Sequence, residues 1–148
     1  MKQPVYTWDE ELGVATCTIF YKDIEFYGQA ICHPDDKDMM SRLVGQTIAD
    51  MRATLWYLRH VRDNELQPQL QALYQLYYSM KHSKKFNPKS YEAKMLYKQI
   101  HFIEKNLSIV KEDIAELYLR LSNYIEQKDI DHKLIKEFRA KKQMVETN

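Results

Sequence analysis

The fold of this chain follows from residues 93–121, AKMLYKQIHFIEKNLSIVKEDIAELYLRL. Apolar side chains recur here at alternating spacings of three and four, which places them on one face of an α-helix. Ten positions share this face: Ala93, Leu96, Ile100, Ile103, Leu107, Val110, Ile114, Leu117, Leu121 and Tyr124. The pattern predicts a helix of about 36 residues, from residue 88 to residue 123, with a length of about 54 Å.

A second amphipathic segment of similar length precedes this helix. Its apolar positions are Met51, Leu55, Leu58, Leu66, Leu70, Leu73, Tyr77 and Met80. Thr47 is the predicted N-cap and residue 82 the end, so the two helices are expected to form an antiparallel hairpin. Pro68 interrupts the pattern, since it lacks an N–H group and clashes with the preceding turn. It predicts a kink near residue 64 or a break between two shorter helices.

Other signals mark helix ends. Asn87 and Pro88 form a cap followed by a proline at the first helical position, which predicts that the long helix starts there. Another helix is expected to begin at Pro34, where three nearby aspartates complement the positive end of its dipole, and to end or bend at Gly45. After residue 129 the apolar face drifts, and we predict a short terminal helix that ends in a flexible tail.

The N-terminal part alternates with the two-residue period of β-strands. VATCTIFY (residues 14–21) and IEFYGQAIC (residues 24–32) predict a hairpin around a Lys22-Asp23 turn. The strand VYTW (residues 5–8) joins them through a turn that requires a positive φ at Gly13. Gly28 shares one face with Ala30, so a helix is expected to lie close against the sheet there.

These elements predict a helix-dominated, oligomeric α+β protein. Within a single domain, 1–148, we expect a small antiparallel β-meander over residues 1–33 and a helical hairpin over residues 34–128. A C-terminal helix or tail occupies residues 129–148.

A second apolar stripe on the long helix predicts self-association. Met95, Phe102 and Ile109 repeat every seven residues and point away from the first face. One partner helix does not cover both faces, so we predict a homodimer or a higher assembly. Alternatively, the small sheet or the helix over residues 34–44 covers the second stripe.

Composition restricts the location of the protein. Neither a signal peptide nor an apolar run of membrane-spanning length is present, so we expect a cytoplasmic protein without membrane partners. Cys17 and Cys32 lack the paired spacing of a zinc site and are interpreted as two reduced thiols.

Motifs of catalysis are missing from the sequence. Its three glycines stand alone, which excludes a glycine-rich phosphate loop, and no HExxH or nucleophile elbow occurs. His101 with Glu104, and His33 with the aspartates that follow it, resemble fragments of metal sites. A solvated helix contact and helix capping explain them more simply. We therefore predict a protein that is not an enzyme and has no cofactor or bound metal.

The segment KHSKKFNPKSY, residues 81–91, is the best candidate for a ligand site. It joins the two helices and lies within residues 51–111, which contain eleven basic and four acidic side chains. Lysine charge and a helix start suit phosphate, while aromatic faces and an asparagine suit a purine. The candidate ligand-binding residues of this segment and the helix after it are Lys84, Lys85, Phe86, Asn87, Lys89, Tyr91 and Lys98.

Three arginines on the preceding helix lie farther from this tip. They are Arg52, Arg59 and Arg62. We include Arg59 and Arg62 among the candidate ligand-binding residues, because the same helix of a second protomer could carry them to the tip. Alternatively, the tip is a solvated lysine loop in which Phe86 and Tyr91 merely close the end of the bundle.

Two segments of the chain resemble the phage anti-Thoeris sponge family. They are FYGQAICHPDDKDMMSRLVGQTIADMRATLWYLRHVRDNE (residues 26–65) and SKKFNPKSYEAKMLYKQI (residues 83–100). The resemblance covers most of residues 5–125. It implies a protein of the host cell cytoplasm that binds a cyclic ADP-ribose signal, made by a host TIR-domain defence enzyme, and holds it without cleavage. Some members also bind small cyclic oligonucleotides.

Two other classes of function remain open. One is a nucleic-acid-binding or host-protein-blocking phage module that uses the basic tip as an electrostatic footprint. The nearly neutral net charge of +1 makes nucleic acid the less favoured partner. The other is a purely structural helical assembly protein in which the tip binds nothing.

Overall fold

The computed structural model describes residues 3–32 and 41–147, with side chains up to residue 144. Three strands come first: β1 (Val5–Asp9), β2 (Val14–Tyr21) and β3 (Ile24–Ile31). The helices that follow are α1 (Arg42–His60), a π-helical segment (Val61–Leu66), α2 (Gln67–Lys81) and α3 (Tyr91–Thr147). The predicted α+β fold, a meander followed by two long helical segments that pack together, is confirmed. The predicted helix start at Pro34 lies outside the described residues.

The chain divides into two compact units. Met1–Trp56 and Glu116–Asn148 form one of them, which we call the sheet unit. Tyr57–Ala115 form the other, the hairpin unit. The sheet unit therefore contains most of α1 and the C-terminal part of α3, and the hairpin unit contains α2 and the N-terminal part of α3.

The sheet has the predicted order β1-β2-β3, with both pairs antiparallel. Lys22 adopts a φ of 55° in the two-residue turn between β2 and β3. Gly13 has a φ of 66°, and its N–H donates to the carbonyl oxygen of Asp9 at 2.8 Å. Both predicted turns are therefore present, and glycine avoids the steric cost that a Cβ would add at position 13.

Small side chains form the core of the sheet unit. Its buried members are Ala15, Cys17, Ala30, Ala49 and Ala53. Gly28 faces α1 so closely that a Cβ at this position would overlap the backbone oxygen of Ala49 and the backbone nitrogen of Ala53. The predicted close approach of a helix to Gly28 is confirmed, and it explains why neighbouring core positions carry alanine and cysteine.

The predicted interruption by Pro68 is present as a π-helical segment. Val61–Leu66 separate α1 from α2, and Pro68 lies in the first turn of α2. The N–H of Gln67 donates to the carbonyl oxygen of Arg62, five residues earlier. The wider turn allows the chain to continue as a helix although proline supplies no N–H group and crowds the turn before it.

Several predicted helix ends are wrong. Gly45 and Thr47 lie inside α1, and the Thr47 hydroxyl donates to the Leu43 carbonyl at 2.8 Å instead of capping a helix. Glycine inside a helix costs roughly 1 kcal/mol relative to alanine. Gly45 is buried, and the packing of Ile48 and Ala49 in the core outweighs that cost, so the helix continues through Gly45. After residue 129 the chain does not start a new helix, because α3 continues unbroken from Tyr91 to Thr147 over 57 residues.

The start of α3 differs from the prediction by one turn. The Ser90 hydroxyl accepts the N–H of Ala93 at 3.2 Å, so Ser90 is the N-cap. Asn87 accepts the N–H of Lys89 at 3.0 Å within the preceding loop. Asparagine and serine both favour these local hydrogen bonds, and the sequence pattern does not tell a loop turn from a cap three residues later.

The two apolar faces of α3 behave differently, as predicted. All ten positions of the first face are buried or half-buried. The second stripe is exposed: Met95 is 37%, Phe102 64% and Ile109 46% accessible. Within the hairpin unit, nothing covers this stripe, and most of the helix expected over residues 34–44 lies outside the described residues.

Candidate functional site

The tip between α2 and α3 is held by its own polar groups. The N–H of Phe86 donates to the carbonyl oxygen of Ser83 at 3.1 Å, and the N–H of Lys85 donates to the Ser83 hydroxyl at 3.4 Å. With the turn at Asn87 and the cap at Ser90, these hydrogen bonds determine the course of the loop. The asparagine side chain that we expected to meet a ligand is thus already engaged by a backbone N–H.

An aromatic cluster lies beneath the tip. Phe86 is half-buried and meets Tyr77 edge-to-face, with ring centroids 6.3 Å apart. Tyr77 also packs on Tyr97 at 5.1 Å, and their hydroxyl oxygens are 2.6 Å apart. The hydrogen bond with Tyr77 raises the pKa of Tyr97. Phe86 therefore closes the end of the hairpin, while part of its ring stays accessible.

A shallow cavity of about 250 Å³ opens beside Phe86. Lys85 and Asn87 line it together with Phe86, so three of the predicted ligand-binding residues converge on one cavity. Met80, Ser83, Ser90 and Glu92 complete the lining. Lys84 and Lys89 are exposed residues of the same loop, and Tyr91 is 73% accessible at the first position of α3.

The other predicted residues lie elsewhere. Lys98 lines a separate groove between α2 and α3. Arg62 donates two hydrogen bonds to Asp63, at 2.7 and 3.1 Å, and this contact lowers the pKa of Asp63. Arg59 is separated from the end of α2 by 22 residues of helix, which corresponds to roughly 33 Å. One chain does not bring Arg59 and Arg62 to the tip.

A cavity of about 240 Å³ in the sheet unit was not predicted from the sequence. Arg52 of α1 and Lys128, Asp129 and His132 of α3 supply its polar groups, and the ends of β3 and α1 supply apolar ones. The Arg52 Nη1 donates to the Gln29 carbonyl oxygen at 2.6 Å, and Lys128 lies 3.9 Å from Asp131. The spacing of four between Lys128 and His132 places both on one helix face, but we predicted only a short terminal helix there and did not connect it with Arg52.

His101 and Glu104, one of the two sets that resembled a metal site, each contact an aromatic residue. Glu104 accepts a hydrogen bond from the Tyr74 hydroxyl at 2.9 Å, and His101 stacks on the ring of Tyr97. Residues 3–32 and 41–147 contain no group of three or more His, Cys, Asp or Glu side chains arranged to hold a metal. His33 and the aspartates after it lie outside those ranges.

The two cysteines differ in environment. Burial and the carboxylate of Asp50 raise the pKa of the Cys17 thiol to about 11. Cys17 is fully buried, whereas Cys32 is half-buried and lines the cavity of the sheet unit. Neither forms a disulfide.

Comparison with known proteins found no matching family model, curated protein or solved structure. Within the described part of the chain, no helix combines the length and apolar character needed to span a bilayer.

Proposed function

We propose that this protein binds and sequesters a small cyclic nucleotide of the cyclic ADP-ribose type without cleaving it. The observation that carries the proposal is the convergence of Lys85, Phe86 and Asn87 on one cavity at the hairpin tip. These residues offer a positive charge, an aromatic ring and an amide, a combination that suits a phosphate-bearing purine.

The contacts of the tip with the rest of the hairpin already order its backbone and the ring of Phe86. Tyr77 and the loop hydrogen bonds hold Phe86, so a base that stacks on it does not have to order the ring. Lys84 and Lys89 add positive charge on the solvent side, and Glu92 is the one acid among the residues that line the cavity. Binding to a pre-ordered site loses less conformational entropy, which favours affinity.

Sequestration without turnover agrees with the chemistry of the cavity. Its lining contains one carboxylate and neither histidine nor cysteine. General acid–base cleavage most often uses histidine or a pair of carboxylates, and neither is among the residues that line this cavity. The resemblance to the anti-Thoeris sponge family supports the same role, a phage-encoded anti-defence protein that removes a cyclic nucleotide immune signal.

The first experiment is calorimetry with cyclic ADP-ribose isomers, cyclic dinucleotides and trinucleotides, NAD and short DNA. We expect binding of a cyclic nucleotide, and mass spectrometry of the ligand recovered after denaturation should show it unchanged. Absence of binding across the panel would refute the function, and a hydrolysed ligand would refute sequestration.

Variants then test where the ligand binds. Phe86→Ala should weaken binding by roughly 5- to 150-fold, the equivalent of about 1–3 kcal/mol for a lost base stack. Phe86→Leu keeps apolar volume against Tyr77 and should also weaken binding, so a loss in both variants separates stacking from collapse of the tip. Lys85→Ala should weaken binding and reduce its dependence on salt.

The cavity of the sheet unit provides the matched control. Lys128→Ala and His132→Ala remove two of its polar groups and should leave nucleotide affinity unchanged. If these variants abolish binding while Phe86→Leu binds as the wild type does, the function stands but the tip is not the site.

Binding to short DNA with a steep dependence on salt would instead favour the nucleic-acid-binding alternative. A protein that self-associates and binds no member of the panel would favour a structural helical assembly.

A further inference from the structure

The cavity of the sheet unit is built from three elements of the fold. Ala30 at the end of β3, Ile48 of α1 and Ile125 of α3 supply its apolar walls. Its volume of about 240 Å³ lies below the roughly 300–1,000 Å³ of pockets that hold drug-sized ligands. The cavity therefore suits a small ligand better than a whole nucleotide.

Three side chains that can donate hydrogen bonds to an anion line this cavity. Arg52 comes from α1, whereas Lys128 and His132 come from one face of α3. Arginine and lysine carry positive charge at neutral pH, and the imidazole ring adds an N–H donor. Asp129 is the one acid among the residues that line the cavity. Positive charge therefore exceeds negative charge in the lining.

Contacts with the protein hold two of these cationic side chains in place. The Arg52 Nη1 donates to the carbonyl oxygen of Gln29 at 2.6 Å, which leaves the other N–H groups of the guanidinium for a ligand. The Lys128 Nζ lies 5.4 Å from the centroid of the Tyr124 ring and 3.9 Å from the carboxylate of Asp131. Side chains that are already ordered lose less conformational entropy when a ligand binds.

The opposite charges of the lining do not pair with each other. Among residues 3–32 and 41–147, Arg52 has no ion-pair partner, and Asp129 has none either. Both groups therefore remain available to different parts of one ligand. The cationic side chains suit an anionic group, and the carboxylate of Asp129 suits a hydroxyl group that donates to it.

We propose that this cavity binds the phosphate group of a small phosphomonoester that also carries hydroxyl groups, as a sugar phosphate does. A phosphomonoester has a charge of about −1.5 to −2 at pH 7 and three strong acceptor oxygens. Arg52, Lys128 and His132 offer one donor group for each of these oxygens, and Asp129 accepts from a hydroxyl group. Cyclic nucleotides have no terminal phosphate group, so this cavity and the hairpin tip take different ligands.

Calorimetry with ribose 5-phosphate, inorganic phosphate and ribose tests the chemistry of the ligand. We expect ribose 5-phosphate to bind about tenfold more tightly than inorganic phosphate, because its hydroxyl groups add a hydrogen bond to a charged acceptor. Ribose alone should not bind, since it lacks the anionic group. Absence of binding, or equal affinity for ribose 5-phosphate and either of the other two probes, would overturn the proposal.

Matched variants of α3 test the location of the site. Lys128→Ala and His132→Ala should each weaken the binding of ribose 5-phosphate by about tenfold, with unchanged helical circular dichroism. Lys133→Ala removes the same charge as Lys128→Ala from an exposed position outside the lining, and it should bind as the wild type does. Equal losses in Lys128→Ala and Lys133→Ala would show a general effect of charge and would overturn the site.

The acid of the lining tests how the hydroxyl group is recognised. Asp129→Ala should abolish the preference for ribose 5-phosphate over inorganic phosphate, whereas Glu126→Ala, at an exposed position outside the lining, should preserve it. An Asp129→Ala protein that keeps the preference would overturn the role of this carboxylate. Phe86→Ala should bind ribose 5-phosphate as the wild type does, so failure here is distinct from failure of the proposed function.

Discussion

The sheet unit and the hairpin unit use opposite ways of packing a helix. In the sheet unit, α1 approaches the strands so closely that its backbone lies where a side chain of Gly28 would be. In the hairpin unit, large leucine and isoleucine side chains of α3 are buried, while Phe102 and Tyr78 stay exposed. The first arrangement leaves no room for additional atoms, and the second leaves apolar surface without a partner.

This difference indicates which kind of substitution destabilises each unit. A core of alanine, cysteine and glycine gains stability from the close approach of backbones, so any added carbon forces the helix away. A seam of large aliphatic side chains is damaged by the loss of atoms, because each leaves a cavity.

The largest effect is expected for Gly28→Ala in the sheet unit. The new Cβ would overlap backbone atoms of Ala49 and Ala53, and backbone moves less readily than a side chain. We expect the free energy of unfolding to fall by about 3 kcal/mol or more, measured by urea denaturation. Gln29→Ala changes an exposed neighbour in the same strand and should alter stability by less than about 0.5 kcal/mol. Equal stability of the two variants would show that α1 does not lie on Gly28.

In the hairpin unit, Leu107→Ala should have the next largest effect. Leu107 is a buried member of the first face of α3, and truncation removes three carbons from it. We expect a loss of about 2–3 kcal/mol, again by urea denaturation. Ser108→Ala, at the exposed position beside it, serves as the control and should be nearly neutral. A neutral Leu107→Ala would contradict the assignment of the seam.

A smaller effect should distinguish the two candidate caps of α3. Ser90→Ala removes the acceptor of the Ala93 N–H, and we expect a cost of about 1 kcal/mol. Asn87→Ala removes an acceptor in the exposed loop and should cost less. If thermal denaturation ranks these variants in the reverse order, the helix starts at Asn87 as the sequence pattern predicts.

The smallest effect is the response of the sheet unit to alkaline pH. Burial and Asp50 raise the pKa of Tyr6 to about 12 and that of Cys17 to about 11. The folded state therefore holds these protons more tightly than the unfolded state, whose pKa values are about 10 and 9. Their contribution to stability is complete below pH 9 and declines as the pH rises to 12.

Tyrosine variants distinguish how much each unit contributes to the pH dependence of unfolding free energy in this range. Tyr6→Phe should flatten the decline of unfolding free energy between pH 9 and pH 11. Tyr74→Phe in the hairpin unit should flatten it less, because the pKa of Tyr74 is raised mainly by one hydrogen bond to Glu104, whereas burial, Asp50 and Cys17 all raise the pKa of Tyr6. A larger change for Tyr74→Phe would reverse the ranking of the two environments.

The elements with strong periodicity were predictable from the sequence. The three strands, the apolar face of α3, the interruption at Pro68 and the close approach at Gly28 all follow from local spacing and from the special backbone properties of proline and glycine. The composition of the tip was also evident, because its lysines and aromatic rings are adjacent in sequence. These features depend on residues within a few positions of one another.

The sequence by itself thus determined the fold class, the buried faces and the exposed stripe of α3. Tertiary structure decided that α1 runs through Gly45 and Thr47 and that α3 continues to Thr147, since packing outweighs the small free energies of helix end signals. It also decided that Arg52 meets Lys128 and His132 in one cavity, while Arg59 and Arg62 stay away from the tip. Side chains that are distant in sequence converge through the path of the whole chain, and no local spacing records that path.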